Sequence, residues 1–276
     1  MKWNEGRRSD NVVDARGRGM LPIAGGGIGM AVLALVVYLM GGDPTVVLDQ
    51  PAGRLPSSSE QGAPKDPTGD FVSVVLADTE DTWNAVFREK LGKDYEEPQL
   101  VLFSDAVPSA CGFAQSAMGP FYCPRDHRVY IDLAFYRELR ERFHAPGDFA
   151  QAYVVAHEVG HHVQTLLGLS DKVAEAQSRS DKRTANALSV RVELQADCYA
   201  GLWAHHAQRA RDVVEPGDID EALGAANAIG DDRLQKATRG RVVPDSFTHG
   251  SSEQRMQWFK RGYESGSMDS CNTFEG

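Results

Sequence analysis

From Gly19 to Gly42, between Arg18 and Asp43, the chain carries no charged residue, and the middle of that run reads GMAVLALVVYLM. An α-helix of about 20 such residues crosses the roughly 30 Å apolar core of a bilayer. The segment therefore predicts one transmembrane helix over residues 19–42; its Gly-rich start at 25–29 is tolerated in a membrane helix. A signal peptide has a shorter apolar core, and Tyr38-Leu39-Met40 is a poor cleavage site. A buried core helix rarely runs this long without a polar residue.

The charges flanking the run give it a direction. Residues 1–20 hold five basic residues (Lys2, Arg7, Arg8, Arg16, Arg18) against three acidic ones (Glu5, Asp10, Asp14), a net of +2, so with −10 overall the remainder carries −12. No Lys or Arg occurs in residues 43–53. Basic residues stay on the cytoplasmic side. The reading is a single-pass inner (cytoplasmic) membrane protein. Its basic arm, residues 1–18, is cytoplasmic, and the bulk of the chain is periplasmic or extracellular. Residues 43–69, dense in Pro, Gly and Ser, read as a flexible tether, and a folded domain is expected over 70–276. The acidic balance, with a pI near 5.3, argues against nucleic acid as a partner.

Outside the cytoplasm an even number of cysteines suggests disulfides. Cys111, Cys123, Cys198 and Cys271 allow three pairings. Cys111–Cys123 would close a short turn-rich loop and Cys198–Cys271 would tie the C-terminal tail to a helix, so these two are favoured over the other pairings and over four buried thiols. No two cysteines are close enough in sequence for a short-spaced zinc ligand pair.

Periodicity predicts a helix from Phe71 to about Leu91, a strand in QLVLFSD after Pro98, a second strand in HRVYIDL (127–133) and a helix over 135–143. Asp148 is the expected N-cap of a helix over 149–167 that Gly168 ends. A long helix covers roughly 184–211, another starts at Gly217-Asp218, and Ser251-Ser252-Glu253-Gln254 begins the last with a capping-box pattern. The domain reads as α+β, mostly helical with a small sheet.

Within the 149–167 helix lies AHEVGHHVQ, an H-E-x-x-H string at His157-Glu158-Val159-Gly160-His161. Residues four apart share a helix face, so His157 and His161 can aim both imidazoles at one tetrahedral zinc ion. Glu158, one step round the helix, suits a base that takes a proton from water. A third ligand is required. The continuation HVQTLL lacks the Gly and His of a metzincin. The alternative is a Glu from a second helix, and Glu193 in SVRVELQADCYAG is the candidate; its bland reading is a solvent-facing acid. Asp197, one turn on, could accept a hydrogen bond from the outer nitrogen of a ligand histidine. His162 points off that face, and His205 and His206 lie roughly 18 Å along the helix from Glu193, too far for the same ion.

These residues carry a resemblance. The chain is similar throughout to bacterial putative neutral zinc metallopeptidases of the gluzincin group. The matching segments are WNEGRRSDNVVDARG, CGFAQSAMGPFYCPRDHRVYIDLAFY, AHEVGHHVQ, RVELQADCYAG, GDIDEALGAANAIGDDRLQ and SFTHGSSEQR. ELQAD and THGSSEQR also resemble segments of the CAAX-type and heat-shock-type membrane zinc proteases. The resemblance implies a zincin-like domain, one Zn²⁺ per chain, Glu193 as third ligand and His249 near the reacting carbonyl. Those relatives have Pro after the histidine where this chain has Gly250-Ser251, which leaves the loop geometry and the role of His249 open.

The function expected is a membrane-anchored zinc endopeptidase acting on protein or peptide substrates. Glu158 would be the general base and His249, or less favourably Tyr199, an oxyanion donor. The Val129–Leu133 strand is a candidate surface for an extended substrate. The competing class is a zinc-binding envelope scaffold or assembly factor without turnover, against which the retained Glu158 argues. Oligomeric state and substrate are not legible.

Overall fold

The structure, a computed structural model, describes residues 1–16, 64, 66–116 and 119–275. The span expected over 19–42 and nearly all of the expected tether lie outside the described residues. Among those described, no helix is long and apolar enough to cross a membrane.

Helix α1, Pro67–Val86, starts inside the last three residues assigned to the tether. Asp66 caps it by accepting from Gly69 N, and Pro67 supplies a first-turn residue with no N–H to satisfy. One π-type turn, Phe87–Leu91, continues it to Gly92. The other α-helices described are α2 (Ala134–Glu141), α3 (Asp148–Leu166), α4 (Leu169–Ser178), α5 (Lys182–Arg211), α6 (Asp218–Ala228), α7 (Asp231–Arg239) and α8 (Ser252–Ser265). Asp148 is the first residue of α3 and Gly147 its cap position. The capping box of α8 forms in full: Ser251 accepts from Gln254 N, and the Gln254 side chain accepts from Ser251 N. The architecture is α+β and mostly helical.

Six strands occur among the described residues: β1 (Val12–Asp14), β2 (Gln99–Phe103), β3 (Ala106–Ser109), β4 (Gly112–Gln115), β5 (Phe121–Cys123) and β6 (Arg128–Asp132). Four make a mixed sheet in the order β1-β2-β6-β5, with β1–β2 and β2–β6 parallel and β5–β6 antiparallel. β3 and β4 form a separate hairpin. Two expectations change here. Strand β6, put forward over Val129–Leu133 as a substrate surface, is paired on both sides and has no free edge; among the described strands, β5 is the sheet edge beyond it. The arm over 1–18 was expected to stand apart. Residues 1–15 instead belong to the same packed unit as the domain and supply β1. Three residues, VVD, are too short a strand to read from periodicity.

QLVLF reads as a continuous apolar run because both faces of β2 are covered. Leu100 and Leu102 join Val129, Ile131, Trp83, Phe149, Tyr153, Trp203 and Phe259 in the main core. Val101 and Phe103 face the other way with Tyr130, Ala114 and Val107, beneath the hairpin. Both favoured disulfides are present: Cys111–Cys123 fastens the hairpin tip to β5, and Cys198–Cys271 fastens the tail to α5.

Glycines let three helices meet at backbone distance. A Cβ on Gly262 of α8 would stand 1.9 Å from Cys198 O of α5, and one on Gly201 of α5 would stand 2.0 Å from Phe259 O of α8. A Cβ on Gly160 of α3 would lie 3.1 Å from Ala196 of α5. α5 is thus held tightly between α3 and α8, the helices that bring its polar partners.

Candidate metal centre

α3 presents His157 and His161 one turn apart, with ring centroids 4.8 Å from each other. The close approach at Gly160 brings Glu193 of α5 against them. His157 Nε2 lies 3.1 Å from Glu193 Oε2, and His161 Nε2 lies 3.6 Å from Glu193 Oε1. One ligand atom from each of the three falls within 4.8 Å of the others. Zinc with ligand bonds of about 2.0–2.1 Å in a tetrahedron needs ligand atoms separated by about 3.3 Å. The two histidine-to-carboxylate distances, one to each Glu193 oxygen, lie on either side of that value, and two imidazoles with one carboxylate are a zinc donor set, so the residues fit the ion.

The outer nitrogens are occupied in a way that fixes the rings. His157 Nδ1 is 2.9 Å from Asp197 Oδ1, and His161 Nδ1 is 2.9 Å from Gln164 Oε1. Gln164 donates its own amide N–H to Val192 O at 2.7 Å, so its oxygen is the end that faces His161. Each ring thereby donates from Nδ1 and turns Nε2 toward Glu193, the atom that would bind the metal once its proton has left. Asp197 is fully buried and also accepts from Tyr153 OH (2.5 Å) and from Arg255 Nε and Nη2 (2.8 and 2.9 Å). Arg255, 2% exposed, reaches this point from the first turns of α8 and also donates to Tyr153 OH.

Electrostatics follow from burial and these partners. Burial pushes His157 down, but the Asp197 and Glu193 carboxylates more than reverse it, raising it to about 9. His161 is likewise raised: Glu193 overcomes its burial. Burial opposes ionisation of Glu193, yet the two histidines hold it well below the usual carboxylate range. Asp197 is lowered against its burial by Arg255 and His157. Glu158, buried beside the ligands, is raised by desolvation, which His157 and His161 only partly offset. A carboxylate so placed takes up a proton more readily than one in water.

His249 lies in the loop before α8. Asp231, at the start of α7, accepts from the backbone N–H groups of Thr248 and His249 (2.7 Å each) and of Gly250 (3.2 Å). The His249 ring, half-exposed, sets Nδ1 3.4 Å from Asp231 Oδ1. That bond raises His249 despite partial burial, with the Glu193 charge adding to it. Gly250 has φ +92, and a Cβ there would lie 3.2 Å from Leu194 Cδ2, so the loop rests on α5 beside Glu193. Proline, fixed near φ −65°, is incompatible with this turn. The departure from the CAAX-type pattern is therefore matched by backbone geometry.

The other residues weighed from the sequence lie elsewhere. His162 accepts from Tyr122 OH on Nδ1 (3.0 Å) and donates from Nε2 to Glu96 O (2.6 Å), and burial pushes it down to about 4. His205 and His206 bond to Tyr263 O and Gly266 O near the end of α8. Tyr199 packs edge-on against Trp83, ring centroids 5.4 Å apart, as a core residue. Sequence reasoning missed Gln164, Tyr153, Arg255 and Asp231. Gln164 and Tyr153 carried a signal, standing at helical spacing from His161 and His157. Arg255 and Asp231 lie in the matching segments SFTHGSSEQR and GDIDEALGAANAIGDDRLQ, but their roles were not legible there, because they depend on how α7 and α8 pack.

With the geometry in hand, comparison with known proteins is direct. Residues 1–274 match the family model described as "Putative neutral zinc metallopeptidase". The uncharacterised protein YpfJ of Escherichia coli is 50% identical over 285 aligned residues, covering 99% of both chains. An uncharacterised protein of Mycobacterium tuberculosis is 43% identical over 214 residues, covering 74% of this chain and 71% of its own. No solved structure matches significantly.

Proposed function

The chain belongs to the family of putative neutral zinc metallopeptidases, and from that premise we propose that it is a zinc-dependent endopeptidase using His157, His161 and Glu193 as metal ligands and Glu158 as general base. The observation that carries the reading is the convergence of His157 Nε2, His161 Nε2 and a Glu193 oxygen, with both outer nitrogens already engaged. One Zn²⁺ per chain, when bound, would polarise a peptide carbonyl and lower the pKa of a coordinated water. Glu158 accepts a proton from the attacking water and passes it to the leaving amine; its burial-raised pKa suits both steps. Asp197 and Gln164 hold the two rings in register through the turnover. Arg255 keeps Asp197 ionised, so that it orients His157 rather than sharing its proton. His249, its ring fixed by Asp231, is proposed as a donor to the oxyanion.

An extended substrate would add to β5. That edge strand is tied to α3 by the Tyr122–His162 bond, one residue past His161. The charge-free run 19–42 supports attachment of the enzyme to a bilayer, readable as resistance of the full chain to alkaline extraction. Glu158 separates this reading from a zinc-binding scaffold, which needs no base.

The test is elemental analysis of the purified chain and of Glu193→Ala, with cleavage of an unfolded protein substrate followed for both and for Glu158→Gln. The expected result is one zinc per chain, weakened by Glu193→Ala, and no cleavage by zinc-loaded Glu158→Gln. Cleavage by that variant at the wild-type rate would refute the mechanism.

A further inference from the structure

The N-terminal arm is recognised by the domain in detail. β1 pairs in parallel with β2, Val12 beside Leu100, Val13 beside Val101 and Asp14 beside Leu102. Leu100 N donates to Asn11 O at 2.9 Å and Ala15 N to Leu102 O at 2.8 Å. Trp3 sets its edge on Phe71, ring centroids 5.4 Å apart. Gly6 lies where a Cβ would stand 2.5 Å from Val74 Cγ1. Glu80 of α1 is 1% exposed and accepts from three arm residues: Ser9 Oγ (2.5 Å), Asn11 Nδ2 (2.9 Å) and Arg7 Nη2 (2.8 Å). A buried carboxylate met by a hydroxyl, an amide and a guanidinium from one short segment is a fitted site, because each donor replaces a water the carboxylate has lost.

The arm's positive charge has a second meaning here. Lys2 pairs with Asp212 (2.6 Å), Arg7 with Glu80 and Asp81 (2.8 and 2.9 Å), and Arg8 forks onto Asp70 through Nε and Nη2 (2.9 and 2.7 Å). These are three of the five basic residues from which a cytoplasmic N-terminus is read. Their carboxylate partners all lie on the domain expected outside.

We propose that residues 1–15 are a working part of the folded domain, and that arm and domain lie on the same side of any membrane the chain joins. A single crossing between residue 16 and residue 66 would separate β1 from β2 by roughly the 30 Å of an apolar core, far beyond hydrogen-bond reach. The β1–β2 pairing is therefore incompatible with an odd number of crossings between arm and domain. The inference concerns orientation and is independent of the peptidase reading. It also places the sheet edges: β1 covers β2 and forms one edge, and β5 forms the edge beside the metal-site helix.

The experiment uses the full chain in intact membrane vesicles. Asn4→Cys in the arm and Glu253→Cys on α8, both exposed positions, are labelled separately with a membrane-impermeant maleimide. Val13→Cys with Val101→Cys is oxidised in the same vesicles, and free thiols are blocked before any detergent is added. A protease site introduced after Ser59 then shows whether the arm stays attached until reduction. The expected result is labelling of Asn4→Cys and Glu253→Cys from the same side, with the arm retained by the crosslink between positions 13 and 101. A crosslink between two copies supports the proposal equally, since copies insert with one orientation. Labelling from opposite sides overturns it, and because those variants are single surface changes, that outcome does not depend on how the core pair folds.

Discussion

Replacing Asp197 by Asn keeps the shape of the side chain and removes its charge. In the folded protein Asp197 is fully buried and receives two bonds from Arg255, one from Tyr153 and one from His157. The substitution strands the Arg255 guanidinium, 2% exposed, without its counter-ion. Removing one member of a buried pair costs about 3–5 kcal/mol, because the remaining charge has lost both water and partner. The same change loosens the hold on His157 Nδ1, and loss of such an orienting group weakens metal binding by about 10–100-fold, or about 1.4–2.7 kcal/mol. The two effects separate by assay: denaturant unfolding of the zinc-free protein reads the first and chelator competition at constant pH reads the second. The double variant Asp197→Leu with Arg255→Met sharpens the distinction. With both charges gone a buried apolar pair is close to neutral for stability, so unfolding should recover while zinc affinity stays low. The reasoning is refuted if Asp197→Asn unfolds within about 1 kcal/mol of wild type, well under the cost of a stranded buried charge, and binds zinc as tightly.

Gly262→Ala should lower the melting temperature and cost about 1–3 kcal/mol or more, the range for overpacking, since its Cβ would fall 1.9 Å from Cys198 O. An unchanged melting temperature would mean that α5 and α8 are not in backbone contact. Gln164→Ala should weaken zinc binding by about 10-fold, the lower end for an orienting group, although no ligand residue is replaced; chelator competition measures it. Acidity should act on the two forms in opposite directions. His157 is raised to about 9 in the zinc-free protein, so below that pH a proton must leave before zinc binds. Affinity should then fall as pH drops, about tenfold per unit for each proton displaced. In the zinc-free protein the raised pKa stabilises the fold fully below the ordinary histidine value of about 6.5, and that contribution is lost as pH rises through about 9. Unfolding curves from about pH 6 to 10, a window bracketing both values, with and without zinc, would reveal the divergence, and parallel curves would count against it.

Much of this protein is written locally. H-E-x-x-H on an amphipathic segment places two imidazoles one turn apart because the helix repeat does so in any surroundings. Gly168 and Ser251 mark helix ends because capping satisfies backbone groups within four residues, whereas the cap at Asp66 went unread inside the expected tether. Glu193 and Asp197 could be named because an acid in an apolar helical stretch needs a buried partner. The two disulfide pairings were legible as closures of a turn and a tail. Long-range packing decided the rest. Only the backbone approaches at Gly160, Gly201 and Gly262 set Glu193 against the histidines and deliver Arg255 to Asp197, from residues that look like ordinary helix positions. Pairing on both sides removed β6 as a substrate edge and left β5, a three-residue strand with no periodic signal. The arm marks the boundary most clearly. Its basic residues read as membrane orientation when the sequence stands alone, and as ion pairs once Glu80, Asp70 and Asp212 stand opposite them, because a charge on a chain has no assigned partner until the fold supplies one.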